Sequence, residues 1–293
     1  MTNITLKQLR YFEAVAHHRH FGHAAEACAI SQPALSVQIK ELEQNLQTPL
    51  FDRGGRNITL TSFGVDFAPR ARAILQGVDE LQDMARASKD GLMGRLRIGI
   101  IPTIGPYLLP SIITKLTRMN PALDIHVRET MTPRLITELT EGRIDTAIVA
   151  LPVSEPSLTE VTLFDEKFML VRPEADRDKP VPSSAHLNEM KLLLLEEGHC
   201  FRDQALSFCN MQSETAREGL DASSLSTLVQ MVGAGIGVTL IPEMAVAVET
   251  RSAQVAVNAF PAPEPTRRVG MIWRKTSPLA SKLSEIADLI RPS

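Results

Sequence analysis

Two cysteines nine positions apart, Cys200 and Cys209, have the clearest potential for chemistry in this sequence. The apolar run Leu192–Leu195 predicts a buried strand, Gly198 interrupts it, and apolar residues with helical spacing resume over 201–208. Cys200 is therefore expected at the N-terminal end of a short helix. Backbone N–H groups and the positive end of the helix dipole favour the thiolate there, and the thiolate is the reactive form of cysteine.

The spacing of the two cysteines adds a second argument. If 201–209 is helical, nine residues rise about 13 Å and place the second side chain on roughly the opposite face. A disulfide requires Cα atoms within about 7 Å. The pair could then bond only after the helix unwinds, which would make it a switch. Two unrelated core cysteines are the alternative, because free cysteine is commonly buried, and the chemistry alone leaves both interpretations open.

Composition excludes several classes of protein. The chain has 293 residues, of which 44 % are hydrophobic and 22 % charged, and this is typical of a soluble protein of two or three domains. Three cysteines at positions 28, 200 and 209 fit no zinc spacing, so we expect no metal, no cofactor and a reducing cytoplasmic location. We also expect no export signal and no membrane span. The net charge of −3 leaves room for a local DNA-binding patch.

Residues 1–61 predict a compact helical unit. Ser31 is a suitable N-cap for a third helix. The outer face near the start of that helix carries the side chains that a major-groove reader needs, namely Ser31, Gln32, Pro33, Ser36 and Lys40. A glycine pair within 51–61 predicts a hairpin with Arg53 and Arg56 at its tip, a wing suited to phosphates. A merely solvated face is the alternative.

Residues 62–89 predict one long helix. Its apolar residues repeat every three or four positions, as Phe67, Ala71, Ile74, Val78 and Leu81. So narrow a stripe favours pairing with a second helix, and hence a homodimer, over packing onto its own domain. A hinge is predicted at 90–95.

Alternating strands and helices follow over 96–293 and predict a two-lobed α/β domain with a mostly parallel sheet. Lobe I would comprise 96–164 and 269–293, and lobe II 165–268. Thr103 and Thr132 each follow a predicted strand at the start of a helix. Both hydroxyls are therefore expected near a cleft between the lobes, or else as ordinary N-caps.

Several of these sequence motifs resemble those of a known protein family. Residues 1–61 resemble the winged helix-turn-helix of LysR-type transcriptional regulators through the runs FGHAA (21–25), SQPALS (31–36), IKELE (39–43) and LFDR (50–53). The long helix and the two-lobed domain, similar to periplasmic binding proteins, match the same architecture. Within that family the chain is most similar to the OxyR peroxide sensors, through the runs GHCFRDQA (198–205), FC (208–209) and IPTIGPYLLP (101–110).

The resemblance implies roles for individual residues. Cys200 would be the peroxidatic thiol and Cys209 the resolving thiol. The side chains implied to line the peroxide pocket are Thr103, Thr132, His199 and Arg267. Apart from the resemblance, His199 and Arg202 are cationic neighbours of Cys200 in the sequence and would favour its thiolate, and Arg202 and Asp203 are expected to support the thiolate. The implied partners are promoter DNA, hydrogen peroxide, further copies of the chain up to a homotetramer, and RNA polymerase.

Three other functions compete with a peroxide-responsive regulator. A LysR-type regulator could sense a metabolite in the cleft, its cysteines being incidental. A thiol peroxidase has no use for a DNA-reading unit, so we expect that the protein is not an enzyme. An exported solute-binding protein shares the two-lobed architecture but requires a signal that we do not find.

Overall fold

The computed structural model describes residues 4–52, 54, 58–87, 94–209 and 221–291. The chain divides into two compact units, Met1–Asp83 and Met84–Ser293. The predicted wing residues Arg53 and Arg56, and most of the predicted hinge at 90–95, lie outside the described residues.

The N-terminal unit is a winged helix-turn-helix, as the sequence predicts. Its elements are α1 (Leu6–His18), α2 (Phe21–Ala27), α3 (Gln32–Leu46), β1 (Phe51–Asp52), β2 (Thr59–Leu60) and all but the last residues of α4 (Ser62–Ala87). Ser31 caps α3 by accepting a hydrogen bond from the Ala34 amide at 3.4 Å. The inner face of α3 is buried, whereas Gln32, Pro33 and Lys40 are exposed on its outer face and Ser36 is half-buried.

The apolar stripe of α4 lies in two environments. Phe67 and Ala71 pack into the core of the N-terminal unit, so the prediction that the whole stripe faces another helix needs correction for these two residues. Val78 is half-buried, and Ile74 and Leu81 are 52 % and 64 % exposed. The later part of the stripe therefore leaves apolar surface available to a second helix.

The C-terminal unit consists of two α/β lobes, as predicted. The strands are β3 (Arg95–Ile100), β4 (Asp124–Glu129), β5 (Thr146–Leu151), β6 (Leu158–Pro173), β7 (Leu192–Leu195), β8 (Asp221–Ala222), β9 (Val238–Pro242), β10 (Val255–Ala259) and β11 (Thr266–Arg274). The α-helices are α5 (Gly105–Met119), α6 (Thr132–Thr140), α7 (Ser184–Glu189), α8 (Cys200–Phe208), α9 (Leu225–Gly233), α10 (Val246–Glu249) and α11 (Ala280–Ile290). Short 3-10 turns occupy Glu174–Asp176 and Glu243–Ala245.

The sheet is mixed, which corrects the expectation of a mostly parallel one. Its strand order is β4-β3-β5-β11-β6-β9-β7-β8, and β10 pairs with β6. The outer pairs are parallel, whereas β6 and β11 run antiparallel at the centre. The charged residues at 165–167 interrupt the apolar alternation of β6, so the sequence pattern does not reveal the full length of this strand.

Each lobe has its own hydrophobic core, and β6 and β11 connect the two. Along β6 the packing changes from one core to the other between Leu163 and Phe168. On the return it changes between Phe260 and Val269. Residues at these two crossovers therefore contact both lobes. Within the described ranges, no helix combines the length and apolar character needed to cross a membrane.

The exposed part of the α4 stripe generates a prediction about assembly. We expect Leu81→Lys to weaken dimerisation at least tenfold, because it would place a charge in the apolar contact between two α4 helices. Sedimentation equilibrium of the full chain measures this. Ala73→Lys is the matched control, since Ala73 is exposed on the same helix but off the stripe. Equal dissociation constants for the two variants would remove α4 from the dimer contact.

Candidate functional site

Cys200 lies where the two lobes meet. Its side chain packs against the core of lobe I, whereas the next residue, Phe201, is buried in the core of lobe II. A small cavity of about 10 Å³ opens beside the thiol. Its lining residues are Ile101, Pro102, Thr103, Met131, Thr132, Gly198, His199 and Cys200. A space of this size holds about one water-sized molecule, so only a ligand of very few atoms fits.

Three strand-to-helix connections bring these side chains together. Thr103 lies between β3 and α5, Thr132 is the first residue of α6, and Cys200 is the first residue of α8. Gly198 turns the chain before Cys200 with a φ of 94°, and a Cβ there would lie 2.7 Å from the sulfur of Met131. Only glycine fits this turn without displacing Met131.

Neither Thr103 nor Thr132 serves as the N-cap of the helix that it precedes or begins. The cap positions of α5 and α6 are Ile104 and Met131, and neither helix receives a side-chain cap. Thr103 Oγ1 instead accepts a hydrogen bond from Arg267 Nη1 at 2.8 Å. Thr132 Oγ1 is buried and makes no hydrogen bond of full geometry among the described residues. Both hydroxyl groups are therefore available to a ligand in the cavity.

Arg267 is the buried cation of the site. Its Nε donates to Glu166 Oε2 at 2.7 Å, and its Nη2 donates to the Thr103 carbonyl at 2.9 Å. The guanidinium carbon lies 5.3 Å from the centre of the Phe201 ring. Neighbouring Arg268 points to solvent and pairs with exposed Asp165. Of these two adjacent arginines, Arg267 therefore faces the site and Arg268 faces solvent.

The thiol of Cys200 does not have the lowered pKa that the sequence suggested. Burial raises its pKa above the ordinary value, because the surroundings solvate a thiolate poorly. The positive charge of Arg267 offsets part of this rise, and so does the nearby Thr132 hydroxyl, although it makes no ideal hydrogen bond. The backbone of Phe201, at the start of α8, acts in the same direction.

The assignments of Arg202 and Asp203 as thiolate support are wrong. Arg202 Nη1 donates to the Leu195 carbonyl at 2.7 Å and to Asp221 Oδ1 at 2.6 Å, so it connects α8 to β7 and β8. The charge of Asp203 raises the pKa of Cys200 and so disfavours the thiolate. The expected cationic role of His199 fails too, because burial lowers its pKa and favours the neutral ring.

The second cysteine is held apart from the first. Helix α8 begins at Cys200 and Cys209 is its C-cap, as the sequence predicts. Cys209 is fully buried in the core of lobe II, and burial raises its pKa to about 11. Both thiols are free. The cysteines therefore belong to two different cores and are separated by an intact helix of about 13 Å.

Sequence reasoning missed several polar residues around the site. Glu166 accepts from Arg267, and Tyr107 on α5 donates to Glu249 Oε1 on α10 at 2.6 Å, across the gap between the lobes. Each lies in a pattern that also occurs in ordinary strands or helices, so no local signal distinguishes it. In the part of the chain that the structure describes, no cluster of three or more His, Cys, Asp or Glu side chains could hold a metal ion.

A winged helix-turn-helix followed by two α/β lobes, with a cysteine beside a small cavity at their junction, is typical of a DNA-binding regulator controlled through its C-terminal unit. Two family models match the chain in agreement with this. The bacterial regulatory helix-turn-helix protein model of the lysR family matches residues 6–65, and the LysR substrate binding domain model matches residues 89–293. The chain belongs to the LysR family, and within it to the OxyR hydrogen peroxide-inducible activators.

Individual relatives support this membership over nearly the full length. The hydrogen peroxide-inducible genes activator of Dickeya chrysanthemi is 39 % identical over 98 % of this chain and 95 % of its own. The DNA-binding transcriptional dual regulator OxyR of Escherichia coli K12 is 40 % identical over the same shares.

Solved structures of the same group have the same fold. A full-length Pseudomonas aeruginosa OxyR variant, in which a cysteine is replaced by aspartate, is 37 % identical with a TM-score of 0.76, over 98 % of this chain and 95 % of its own. A Corynebacterium glutamicum OxyR cysteine-to-serine mutant, described as H2O2-bound, is 33 % identical with a TM-score of 0.67, over 99 % of this chain and 92 % of its own. The protein is a redox-sensing transcription regulator.

The charge of Arg267 generates a prediction about pH. Because Arg267 lowers the pKa of Cys200, Arg267→Met should raise it, and reactivity at pH 7 should fall about tenfold for each unit of increase. Alkylation of a chain that carries Cys28→Ser and Cys209→Ser, followed against pH, measures this for Cys200 alone. Arg268→Met removes an equal but exposed charge and serves as the control. Coincident pH profiles for the two arginine variants would contradict the assignment.

Proposed function

We propose that Cys200 is the thiol with which this regulator detects hydrogen peroxide, and that Cys209 resolves the product into a disulfide. The observation that carries this proposal is the placement of the two thiols in different cores with α8 between them. A bond between them requires α8 to unwind. Oxidation would therefore be converted directly into a change of shape.

The first step uses the residues around the cavity. The Cys200 thiol loses its proton and attacks one oxygen of the peroxide, the O–O bond breaks, and the other oxygen leaves as water after protonation. Thr103 accepts from Arg267, so its own hydroxyl hydrogen can be donated to the departing oxygen. Thr132 and neutral His199 line the same space and provide further hydrogen-bonding groups. The product is a sulfenic acid on Cys200.

The second step uses the helix. Cys209 attacks the sulfenic sulfur, the S–S bond forms, and the sulfenic oxygen leaves as water. The thiol of Cys209 is both buried and weakly acidic while α8 is intact. It becomes a nucleophile only once the end of α8 opens. The order of events is thus oxidation of Cys200, opening of α8, and then disulfide formation.

The response would reach DNA through the N-terminal unit. The exposed start of α3 would read base edges in the major groove, and Lys40, Arg53 and Arg56 would bind phosphates. Oxidation in one unit then changes promoter binding by rearranging homodimers or homotetramers, with RNA polymerase as the downstream partner and the cytoplasm as the location. We propose that peroxide is a signal here and that the protein does not turn it over as an enzyme.

A second candidate function rests on the larger cavity between the lobes. This space of about 250 Å³ is bounded by Tyr107, Glu129, Ser226 and Glu249, and it could accommodate a small metabolite. A regulator of this kind would respond to its ligand equally well with Cys200→Ser. Loss of every response in that variant would exclude the candidate.

The roles of the two cysteines predict different products. We expect Cys200→Ser to abolish the peroxide response of transcription while DNA binding persists. Cys209→Ser should instead accumulate a sulfenic acid that dimedone traps on Cys200, because no second thiol can condense with it. Mass spectrometry after a stoichiometric dose of hydrogen peroxide measures both. Dimedone adducts of equal yield in the two variants would contradict these roles.

The DNA-binding residues also predict two kinds of defect. Replacing Arg53 or Arg56 by alanine should weaken binding to all sequences and reduce the slope of log affinity against log salt by about 1. Gln32→Ala should instead reduce discrimination between operator and random DNA, because base contacts carry specificity. Lys282→Ala, an equal loss of charge on α11, is the control. Salt slopes that match this control would place the wing outside the DNA interface.

A further inference from the structure

Glu166 is a buried carboxylate that the chemistry of the two thiols does not use. It is only 4 % exposed and lies on β6, at the crossover between the two lobes. Both of its oxygens are occupied. Oε2 accepts from Arg267 Nε at 2.7 Å, and Oε1 accepts from the Met244 amide at 2.9 Å.

Strand alternation explains why Glu166 points inward. Its neighbours Asp165 and Lys167 point to the opposite side of β6, where they pair with Arg268 and Glu264 at the surface. A buried carboxylate is tolerated only when it is paired and hydrogen-bonded. Glu166 therefore acts through its buried partners, whereas Asp165 and Lys167 form ion pairs at the surface.

The contact with Glu166 determines the orientation of Arg267. With Nε fixed on Glu166, the two terminal nitrogens of the planar guanidinium both face Thr103. Because Glu166 is itself fixed by the Met244 amide, the chain of contacts runs from lobe II through Glu166 and Arg267 to Thr103 in lobe I. We infer that Glu166 is a positioning residue for the peroxide reaction, which holds Arg267 against Thr103 and beside the Cys200 sulfur.

This inference rests on the proposed function of Cys200. A positioning role for Glu166 can be distinguished by experiment from a direct effect of its negative charge on the thiol. The negative charge of Glu166 by itself opposes the positive field that Arg267 exerts on the thiol. If Arg267 stayed in place without Glu166, the thiolate would become more favoured and Cys200 would react faster. If Glu166 positions Arg267, its loss releases the guanidinium and Cys200 reacts more slowly. The two explanations predict changes of opposite sign.

The experiment compares the full chain with Glu166→Ala, each carrying Cys209→Ser so that the sulfenic acid persists. The rate of sulfenic acid formation with hydrogen peroxide is measured from pH 6 to pH 10 by dimedone trapping. For Glu166→Ala we expect at least a tenfold lower rate at pH 7 and a profile displaced to higher pH. Asp165→Ala is the matched control, because it removes the exposed carboxylate next to Glu166, and its profile should coincide with the parent.

Glu166→Gln provides a second variant that preserves side-chain size. An amide has one oxygen for the two donors, Met244 N–H and Arg267 Nε–H, so we expect an intermediate loss of rate. It also replaces Glu166→Ala if that variant does not fold. In an Arg267→Met background, Glu166→Gln should have no further effect on rate, because Glu166 would act only through Arg267.

The outcomes separate this inference from the proposed function. An unchanged or faster rate for the Glu166 variants would overturn the positioning role, and so would a full further loss of rate in the Arg267→Met background. If the parent chain forms no sulfenic acid at Cys200, the proposed function itself fails. A lower melting temperature with an unchanged pH profile would show a structural role alone and would also overturn the inference.

Discussion

The buried guanidinium of Arg267 is the contact on which the sensing site depends. Burial of an unpaired charge is strongly unfavourable, so Arg267 must keep its partners Glu166 and Thr103. Those partners lie on β6 and on the connection between β3 and α5, while Arg267 lies on β11 and stacks near Phe201 of α8. One side chain thereby fixes four elements from both lobes in a single arrangement. Unwinding of the first turn of α8 would disturb this arrangement, because Phe201 lies beside the guanidinium and follows Cys200 directly.

Opposing effects act on the pKa of the Cys200 thiol, and their balance suits a selective sensor. A fully exposed thiolate would react with many oxidants and electrophiles. Burial raises the pKa of Cys200, while Arg267, Thr132 and the start of α8 partly compensate. The thiol is thus kept in a small cavity where a departing oxygen atom can receive hydrogen bonds. In the proposed reaction, selectivity would arise from polarisation of a very small substrate and not from general acidity of the thiol.

Local sequence patterns predicted the elements and the cysteine pair but not the charges around them. Cys200, Cys209 and the helix between them follow from local spacing, since one glycine and a short apolar pattern determine them. The source of positive charge does not follow from local spacing, because Arg267 is distant in the chain and comes close only through β11. The family resemblance was the one indication of Arg267 in the sequence. Sequence neighbours were misleading, as Arg202 turns to Asp221 and the ring of His199 is neutral. Glu166 could not be found because an acidic residue in a strand is usually solvated.

The intact helix also bears on how readily the signal is reversed. In the proposed mechanism, complete opening of α8 would expose Phe201 and Leu206, which are 2 % and 5 % exposed in this state. Complete exposure of two such side chains costs roughly 3–6 kcal/mol. That energy would be lost from the disulfide form and would make the bond easier to reduce by roughly 60–130 mV, since about 30 mV corresponds to 1.4 kcal/mol for a two-electron couple. Such a disulfide would be reduced more readily than one within an undisturbed fold. The same apolar packing that separates the thiols therefore favours the return to the reduced state.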